Sequence, residues 1–446
     1  MRSARFLSVV LVVSSTSVSA LDLDPKNADS IKSAAKAVAK TVVSLYNGNK
    51  SVEIPGIFST PGFYWWQAAP VWDALVDYSF LTGDTTYNDI VGKALQFQVG
   101  PNNDYMPPNQ TKSEGNDDQS FWALAAMTAA ERNFPAPNTS IPTWSTLATN
   151  VFNTQAARWD DKTCGGGVRW QIFSFNNGYN YKNSQSNGNL FELSARLAAF
   201  TKNATYSDWA EKTYSWLEQV GFVNNGAVYD GADLTTNCTS VSHLQWSNNA
   251  GALIYGSAIM YNLTSDAKWR NRTSTLLNAT LTTFFKDGIM EEVACENIGT
   301  CASDQTFFKG ITAIHLARTA VVAPFTAQSI MPLLQSSATG AAVNACTAPD
   351  GSCTLIWTAS ANNASTSGVT SLGTDFSALE VIQANLVGSA KSIVTQNGST
   401  AVGGNSSSSG SASGSTAKGS GVNLAIPGLL SVAQIFGLIL LGHVVL

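Results

Sequence analysis

The chain has 446 residues, of which 12% are charged, and its formal net charge at pH 7 is −5. An acidic chain without basic clusters is a poor partner for nucleic acid, so we exclude nucleic-acid binding. Aromatic residues are plentiful, with 12 Trp and 12 Tyr. Most of them fit a large core, but they also fit sugar binding, because an aromatic ring covers the apolar face of a pyranose.

Residues 1–20 have the pattern of a secretory signal peptide. Arg2 and Arg5 precede an apolar run, and small residues follow up to Ala20. The apolar run is too short to span a bilayer. We predict that this signal is removed and that the mature chain begins near Leu21.

Residues 21–392 are predicted to form one helical domain, since apolar residues recur mostly at helical spacing and no linker interrupts them. A faint repeat organises the helices. Turns begin at Thr82, Thr201 and Thr264, and after each turn an aromatic residue lies in the next helix: Tyr87, Tyr206 and Trp269.

The first two turns are separated by two repeat units of roughly 60 residues each, and the last two turns by one such unit. A unit of this length is the size of a long helix pair with its loops. About six such units fill the domain, so we predict an all-α toroid of six helical hairpins, an (α/α)6 barrel. An open helical solenoid fits the same repeat, and periodicity does not distinguish the two.

Acid–base chemistry in this chain is expected to rest on carboxylates. The sequence has no zinc-ligand spacing, nucleophile elbow or phosphate-binding glycine loop. His243 and His315 stand alone and are interpreted as structural. We therefore expect no metal and no cofactor.

Asp117 and Asp118 lie at the start of an apolar, alanine-rich segment. Taken alone, such a pair usually caps a helix. At a helix N-terminus, however, two consecutive carboxyl groups stay near each other, about 5–6 Å apart, as in retaining glycosidases. In that chemistry one carboxylate attacks the anomeric carbon and the other protonates the leaving oxygen. The pair is thus a cap, a catalytic pair, or both.

Several loops rich in aromatic and asparagine residues are predicted to line a sugar cleft. Each loop alone would also fit simple packing, but together with an acid pair they favour a binding site. The candidate substrate-binding residues are Trp65, Trp66, Asn116, Gln119, Arg169, Trp170, Tyr181, Lys182, Asn183, Asn187, Asp230, Trp246, Asp304, Gln305 and Lys309.

Cysteines and glycosylation sequons fit an exported protein. The six cysteines are an even number, and the pairs Cys295–Cys301 and Cys346–Cys353 are close in sequence, which leaves Cys164 for Cys238. Other connectivities are possible, so this pairing is a preference. Eleven Asn-x-Ser/Thr sequons predict glycosylation, at Asn49, Asn109, Asn138, Asn203, Asn237, Asn262, Asn271, Asn278, Asn363, Asn397 and Asn405.

The C-terminal part has the pattern of a GPI-attachment signal. Residues 393–421 form a Ser/Gly-rich linker, and residues 422–446 form an apolar tail without a basic flank. We predict attachment of the anchor within 409–415 and removal of the tail. A single transmembrane helix is the alternative.

The motifs "YWW", "SEGNDDQSFWALAAMTAAE", "GYNYKNSQSNG" and "WSNNAG" resemble the fungal GPI-anchored members of glycoside hydrolase family 76. The resemblance covers essentially the whole mature domain, with the motifs in order. It implies an (α/α)6 barrel that acts on α-1,6-linked mannose with retention, with Asp117 as nucleophile and Asp118 as acid/base. The sequence departs from the family pattern at Gln67, where relatives often carry an acid.

The resemblance also implies a role in wall assembly at the outer face of the plasma membrane. The enzyme would cleave the mannose core of GPI anchors and transfer the glycoprotein to a β-glucan acceptor in the wall. We expect a monomer. A hydrolytic endo-α-1,6-mannanase, an inactive mannan-binding wall protein and a purely structural helical scaffold are the alternatives.

Overall fold

Twelve α-helices carry the fold in the residues that the computed structural model describes, which are 20–50, 53–58, 63–358, 371–390 and 394–396. No helix within these ranges is both long and apolar enough to cross a bilayer. The predicted signal peptide up to residue 19, almost all of the linker and the whole apolar tail lie outside the described residues. So do the sequons at Asn363, Asn397 and Asn405.

Six helices form a closed inner ring. Each packs against the next in chain order, and the last packs back against the first. This closure confirms the (α/α)6 barrel and excludes the open solenoid. The inner helices are α2 (Ala68–Thr82), α4 (Asn116–Glu131), α6 (Ser184–Thr201), α8 (Ser247–Thr264), α10 (Gln305–Val322) and α12 (Leu372–Gln383).

The other six helices form an outer layer, in which each helix buries one face against the ring. In α9, for example, the buried side chains recur every three or four residues, as expected for an amphipathic helix. The first outer helix packs mainly on α12, so the two ends of the domain together form the sixth hairpin. The outer helices are α1 (Ala28–Ser44), α3 (Asn88–Phe97), α5 (Trp144–Ala157), α7 (Ala204–Gln219), α9 (Ala267–Phe284) and α11 (Ala327–Gly340).

The sequence repeat corresponds to a recurring helix end. Thr82, Thr201 and Thr264 are the last residues of three inner helices. Each hydroxyl donates to the carbonyl four residues earlier, at 2.6–2.7 Å, and accepts from the backbone N–H two residues later, at 3.1–3.2 Å. The residue after each threonine is left-handed, which turns the chain into the outer helix.

Short antiparallel strands lie in the loops, and the helical periodicity did not reveal them. The strands β1 (Tyr181–Asn183), β4 (Gly231–Asp233) and β5 (Val241–Ser242) form one sheet in the order β1-β4-β5, with Asn183 opposite Gly231. Two further hairpins pair β2 (Val223–Asn224) with β3 (Ala227–Val228), and β6 (Phe285–Lys286) with β7 (Ile289–Met290). The three-stranded sheet holds the start of α6 beside the loop that contains Asp230, since the Ser184 amide donates to the Asp230 carbonyl at 2.8 Å.

All six cysteines are paired in the preferred way, as Cys164–Cys238, Cys295–Cys301 and Cys346–Cys353. The first bridge joins the glycine-rich loop before β1 to the loop after β4. The second closes a small loop directly before α10. Both bridges therefore support loops at the same end of the ring.

A network of buried ion pairs fills the centre of the barrel. Arg196 lies 2.9 Å from Glu131 and 3.1 Å from Glu192, and the Nε2 atom of His315 lies 3.1 Å from Glu192. Arg318 lies 2.9 Å from Asp77. Such buried charges are tolerable only when they are paired. His315 thus occupies a core position rather than a position in the cleft described next.

Candidate active site

A cleft with a volume of about 570 Å³ opens where the inner helices begin. Its lining includes residues at or directly before the first turns of α4, α6, α8 and α10, together with the aromatic turn 64–66 that precedes α2. Because the inner helices run in parallel, the positive ends of their dipoles converge on one mouth. Such an environment favours negative charge on groups in the cleft.

Asp117 lies in the first turn of α4 and is only 6% exposed. Its Oδ2 atom accepts a hydrogen bond of 3.0 Å from the Nδ2 of Asn183, and its Oδ1 atom accepts one of 3.0 Å from the backbone N–H of Asp118. Asn183 in turn caps α6 through the backbone N–H of Ser186. The start of one inner helix thereby fixes a carboxylate at the start of another.

Asp118 both caps the helix and borders the cleft. Its Oδ2 atom accepts a hydrogen bond of 2.7 Å from the backbone N–H of Gly115, the residue before the helix. A Cβ atom at Gly115 would overlap Asp117 Oδ1 and lie 3.1 Å from Asp118 Oδ2. The two carboxyl groups therefore converge on this glycine, no farther apart than the roughly 5–5.5 Å typical of retaining glycosidases.

The two carboxyl groups have different protonation equilibria. Burial raises the pKa of Asp117 to about 6, although the hydrogen bonds from Asn183 and the Asp118 amide favour its ionised form. Burial and the neighbouring charge of Asp117 raise the pKa of Asp118 well above its usual range. At neutral pH the arrangement thus favours an ionised Asp117 beside a protonated Asp118.

Two further acids line the cleft, and each is tied to a tryptophan of the same lining. Asp230 accepts from the hydroxyl of Tyr181 at 2.7 Å and from the side chain of Trp246. Burial raises the pKa of this carboxyl. These bonds fix the carboxylate and the indole relative to each other at one wall.

The second of these acids is Asp304, the residue directly before α10. Asp304 accepts from the indole N–H of Trp66 at 3.3 Å and from the amide of Gln67 at 2.9 Å, and burial raises its pKa. Trp66 stacks on Phe121 of α4 with ring centroids 4.8 Å apart. Gln67 therefore holds an acid of the cleft.

Ten of the seventeen residues predicted for the site line this cleft. They are the acid pair and eight of the candidate binding residues. These are Asp117, Asp118, Trp65, Trp66, Trp170, Asn183, Asp230, Trp246, Asp304 and Gln305.

Lys182 and Lys309 do not face the cleft, and the expectation that they contact the substrate needs correction. The ammonium group of Lys182 is fully buried and donates to the carbonyls of Asp160, Thr163 and Gly166 at 2.6–3.0 Å. Lys309 is equally buried and lies 2.7 Å from Glu296. A lysine in a polar loop suggests a ligand contact, but here both lysines tie loops together.

The remaining five candidates also support the cleft from behind. Tyr181 holds Asp230, as described above. Asn187 accepts from the Val168 N–H at 2.8 Å and donates to its carbonyl at 3.0 Å. The last three fix neighbouring backbone or loops: Asn116 donates to the Arg169 carbonyl, Arg169 pairs with Asp160, and Gln119 donates to the Asp104 carbonyl.

Eleven further residues line the cleft that are not among the candidate site residues. Asn248 and Asn249 follow Trp246 directly and lie in the first turn of α8, so the quoted motif "WSNNAG" contained a signal for them. Ser113 is the first residue of the motif that contains the acid pair, and Lys112 directly precedes it. The others are Tyr64, Phe121, Gln171, Asn176, Asn177, Gln185 and Phe308.

Among the described residues, no group of three or more His, Cys, Asp or Glu side chains is arranged to hold a metal ion. What the cleft offers instead is an acid pair with separated pKa values, aromatic faces and amide groups. An acid pair of this kind, in a cleft lined by aromatic and amide side chains, is the arrangement of a glycoside hydrolase active site.

Residues 30–397 match the model of the family described as Glycosyl hydrolase family 76, and the chain belongs to this family. It is 46% identical over 367 residues to the mannan endo-1,6-alpha-mannosidase DCW1 of Saccharomyces cerevisiae, covering 81% of this chain and 80% of the relative.

Two solved structures show the same fold. Dfg5 from Chaetomium thermophilum, in complex with glucosamine, superposes with a TM-score of 0.80 at 40% identity and covers 86% of this chain and 96% of its own. An inactive variant of an α-1,6-mannanase from Salegentibacter, in complex with α-1,6-mannotriose, gives a TM-score of 0.65 at 18% identity over 80% of this chain and 99% of its own.

Proposed function

We propose that this protein is a retaining glycosidase and transglycosylase that acts within chains of α-1,6-linked mannose. The observation that carries the proposal is the pair Asp117 and Asp118, whose carboxyl groups share one helix mouth and have pKa values raised to different extents. This is the pairing of a nucleophile with a proton donor.

In the first step, Asp117 attacks the anomeric carbon of the mannose at the cleavage point. Asp118 gives its proton to the departing glycosidic oxygen, so a covalent mannosyl ester forms on Asp117 as the leaving sugar is released. In the second step, the ionised Asp118 takes a proton from the incoming hydroxyl. That hydroxyl attacks the same carbon, and Asp117 is restored as a carboxylate.

The choice of α-1,6-linked mannose is supported by the relatives. The yeast relative at 46% identity is named a mannan endo-1,6-alpha-mannosidase. The Salegentibacter enzyme is an α-1,6-mannanase bound to α-1,6-mannotriose, and the variant described as inactive carries changes at two consecutive aspartates. The aromatic rings at the cleft suit stacking against such a chain.

The finer proposal is that the donor is the mannose core of a GPI anchor and the acceptor a β-glucan hydroxyl. The Dfg5 relative binds glucosamine, an amino sugar. The lining here includes four aspartates and one lysine, which suits a positively charged sugar near the mannose chain. A covalent intermediate permits a sugar hydroxyl to replace water. We propose that the enzyme does this as a GPI-anchored monomer at the outer face of the plasma membrane and in the cell wall.

The test is to incubate the secreted domain with a labelled GPI-glycan fragment and a β-glucan oligosaccharide, and then to separate hydrolysis from transfer products. We expect a larger, doubly labelled product that grows with acceptor concentration. Release of free glycan alone, at every acceptor concentration, would support a hydrolytic endo-α-1,6-mannanase instead. No turnover of either kind, with glycan binding retained, would indicate a mannan-binding wall protein.

A further inference from the structure

A second cavity, which shares no lining residue with the cleft, lies on the outer layer of the barrel. It has a volume of about 930 Å³ and lies between α3, the segment between α1 and α2, which contributes Tyr46 and Pro55, and the loop 134–141. We call it the α3 groove and define it by Ile90, Phe97, Pro137, Asn138 and Ile141. Its size is within the roughly 300–1,000 Å³ of ligand-binding pockets.

The α3 groove exposes an aromatic face to solvent. Phe97, at the end of α3, is 57% exposed, although most large apolar side chains of this protein are buried. Ile90, Pro137 and Ile141 extend the apolar floor, and Lys93 and Asp89 supply polar groups at its edge. An apolar ring with polar neighbours suits a pyranose better than a purely apolar ligand.

The same groove contains the acceptor of a glycosylation sequon, Asn138-Thr139-Ser140. The amide of Gln96 holds the backbone here, since it accepts from the Asn138 N–H at 2.9 Å and donates to the Asn138 carbonyl at 2.9 Å. The Oδ1 atom of Asn138 accepts from the Ser140 N–H at 2.9 Å. The Nδ2 atom, which carries the sugar in an N-glycan, has no hydrogen-bond partner among the described residues and is available at the exposed rim.

We infer that Asn138 carries an N-glycan whose first sugars pack into the α3 groove against Phe97. The glycan donor for this modification is a lipid diphosphate oligosaccharide. Sequons meet this class of donor in the secretory pathway, which the predicted signal peptide implies for this chain. A bond forms between Nδ2 and the anomeric carbon while the bond from that carbon to the diphosphate oxygen breaks. The lipid diphosphate leaves with the electron pair of the broken bond, and the proton that Nδ2 loses passes to solvent.

The occupant of the groove is thus part of the same molecule. Tethering makes its local concentration high, so weak stacking on Phe97 is enough to hold it. The inference is independent of the enzymatic proposal, because the groove contains none of the residues of the cleft.

The first measurement is glycopeptide mapping of the protein secreted from a eukaryotic host. We expect a glycan on Asn138, and an unmodified Asn138 would overturn the inference. The second is a double-mutant cycle between Phe97→Ala and Ser140→Ala. Ser140→Ala removes the sequon but keeps Asn138 and its bond to the backbone N–H of residue 140, so it is a matched unglycosylated control.

If the glycan packs on Phe97, Phe97→Ala should lower the Tm by about 1–2 °C in the glycosylated protein and much less in the Ser140→Ala background. It should also make the glycan several-fold easier to remove with an endoglycosidase under native conditions. Equal effects of Phe97→Ala in both backgrounds would contradict packing. The sequon at Asn49 borders the same groove. If Asn49→Gln abolished the effect of Phe97→Ala on the Tm, the sugar on Phe97 would belong to Asn49, which would also contradict the inference.

Discussion

The Nδ2 atom of Asn183 donates a hydrogen bond of 3.0 Å to the Oδ2 atom of Asp117, across the boundary between two inner helices. The bond favours the ionised carboxylate, whereas burial favours the protonated form and raises the pKa to about 6. The balance between these two effects determines the pH at which the proposed nucleophile becomes active.

Replacing Asn183 with serine should shift this balance. Serine retains the cap on α6, so the fold should survive, but it removes the amide donor and raises the pKa of Asp117 further. We expect the acid limb of the kcat/KM profile to move to higher pH, with a greater loss at pH 5 than at pH 7. Gln185→Ala, at a cleft residue that bonds Asn248 instead of the acid pair, is the control and should leave the limb in place.

Replacing either acid with asparagine should remove activity while the protein still folds. For Asp118→Asn we expect a loss of roughly 10²–10⁴ in kcat/KM on mannan oligosaccharides, the usual contribution of a general acid–base group. A substrate with a good leaving group should still form the covalent intermediate in this variant, but not in Asp117→Asn. Mass spectrometry of the intact protein detects that difference.

A role in capping alone gives the opposite result. Losing a helix cap costs roughly 1 kcal/mol of unfolding free energy and leaves activity intact. Normal activity in either asparagine variant would therefore refute the catalytic assignment.

Asp117→Asn should also stabilise the fold at neutral pH. Burial holds the folded pKa of Asp117 near 6, against about 3.9 in an unfolded chain, so the folded state retains its proton longer as pH rises. Stability from this group is present below pH 4 and is lost between about pH 4 and 6. The asparagine variant avoids that loss, so its unfolding free energy should exceed that of the wild type by about 1–3 kcal/mol at pH 7.

Thermal unfolding at several pH values checks this expectation. The advantage of the variant should shrink at pH 4, where the wild-type carboxyl is protonated in both states. A constant difference between the two proteins from pH 4 to pH 7 would mean that Asp117 is not the group responsible.

The buried ion network should be sensitive to the loss of one partner. Arg196→Met leaves Glu131 without its cation in the core and removes one of the two partners of Glu192, which should cost about 3–5 kcal/mol of unfolding free energy. Lys268→Met, which removes an exposed pair with Glu211, should cost at most about 1 kcal/mol. Denaturant unfolding of the two variants gives the comparison, and similar costs would show that the buried network is not rigidly paired.

Local patterns in the sequence predicted the helical character of the domain, the acid pair and two of the disulfides, because each depends on neighbours along the chain. The third disulfide, Cys164–Cys238, followed from these two by elimination. The spacing of Thr82, Thr201 and Thr264 even marked the ends of inner helices. Ring closure was not predictable in this way, since it depends on the packing of α12 against α2, which are far apart in sequence. The three-stranded sheet was missed because strands of two or three residues carry no periodic signal.

In the candidate site, too, features that depend on local sequence were predicted and features that depend on the tertiary fold were not. Asn183 and Asp304 were found because polar residues cluster with aromatics in their loops. Lys182 was misplaced because only the fold brings three backbone carbonyls around its ammonium group. Composition alone does not distinguish a polar residue that faces a ligand from one that makes hydrogen bonds to buried backbone groups.

The pairing of α1 with α12 has a consequence for the order in which the protein folds. Among the described helices, α1 is synthesised first and α12, its main partner, is synthesised last, so α1 must wait until nearly the whole domain has left the ribosome. Until then its apolar face, with Ile31, Val38 and Val42, has no ring to cover it. Chaperones should therefore engage the nascent chain at α1, and the packing of α1 should be a late step of folding.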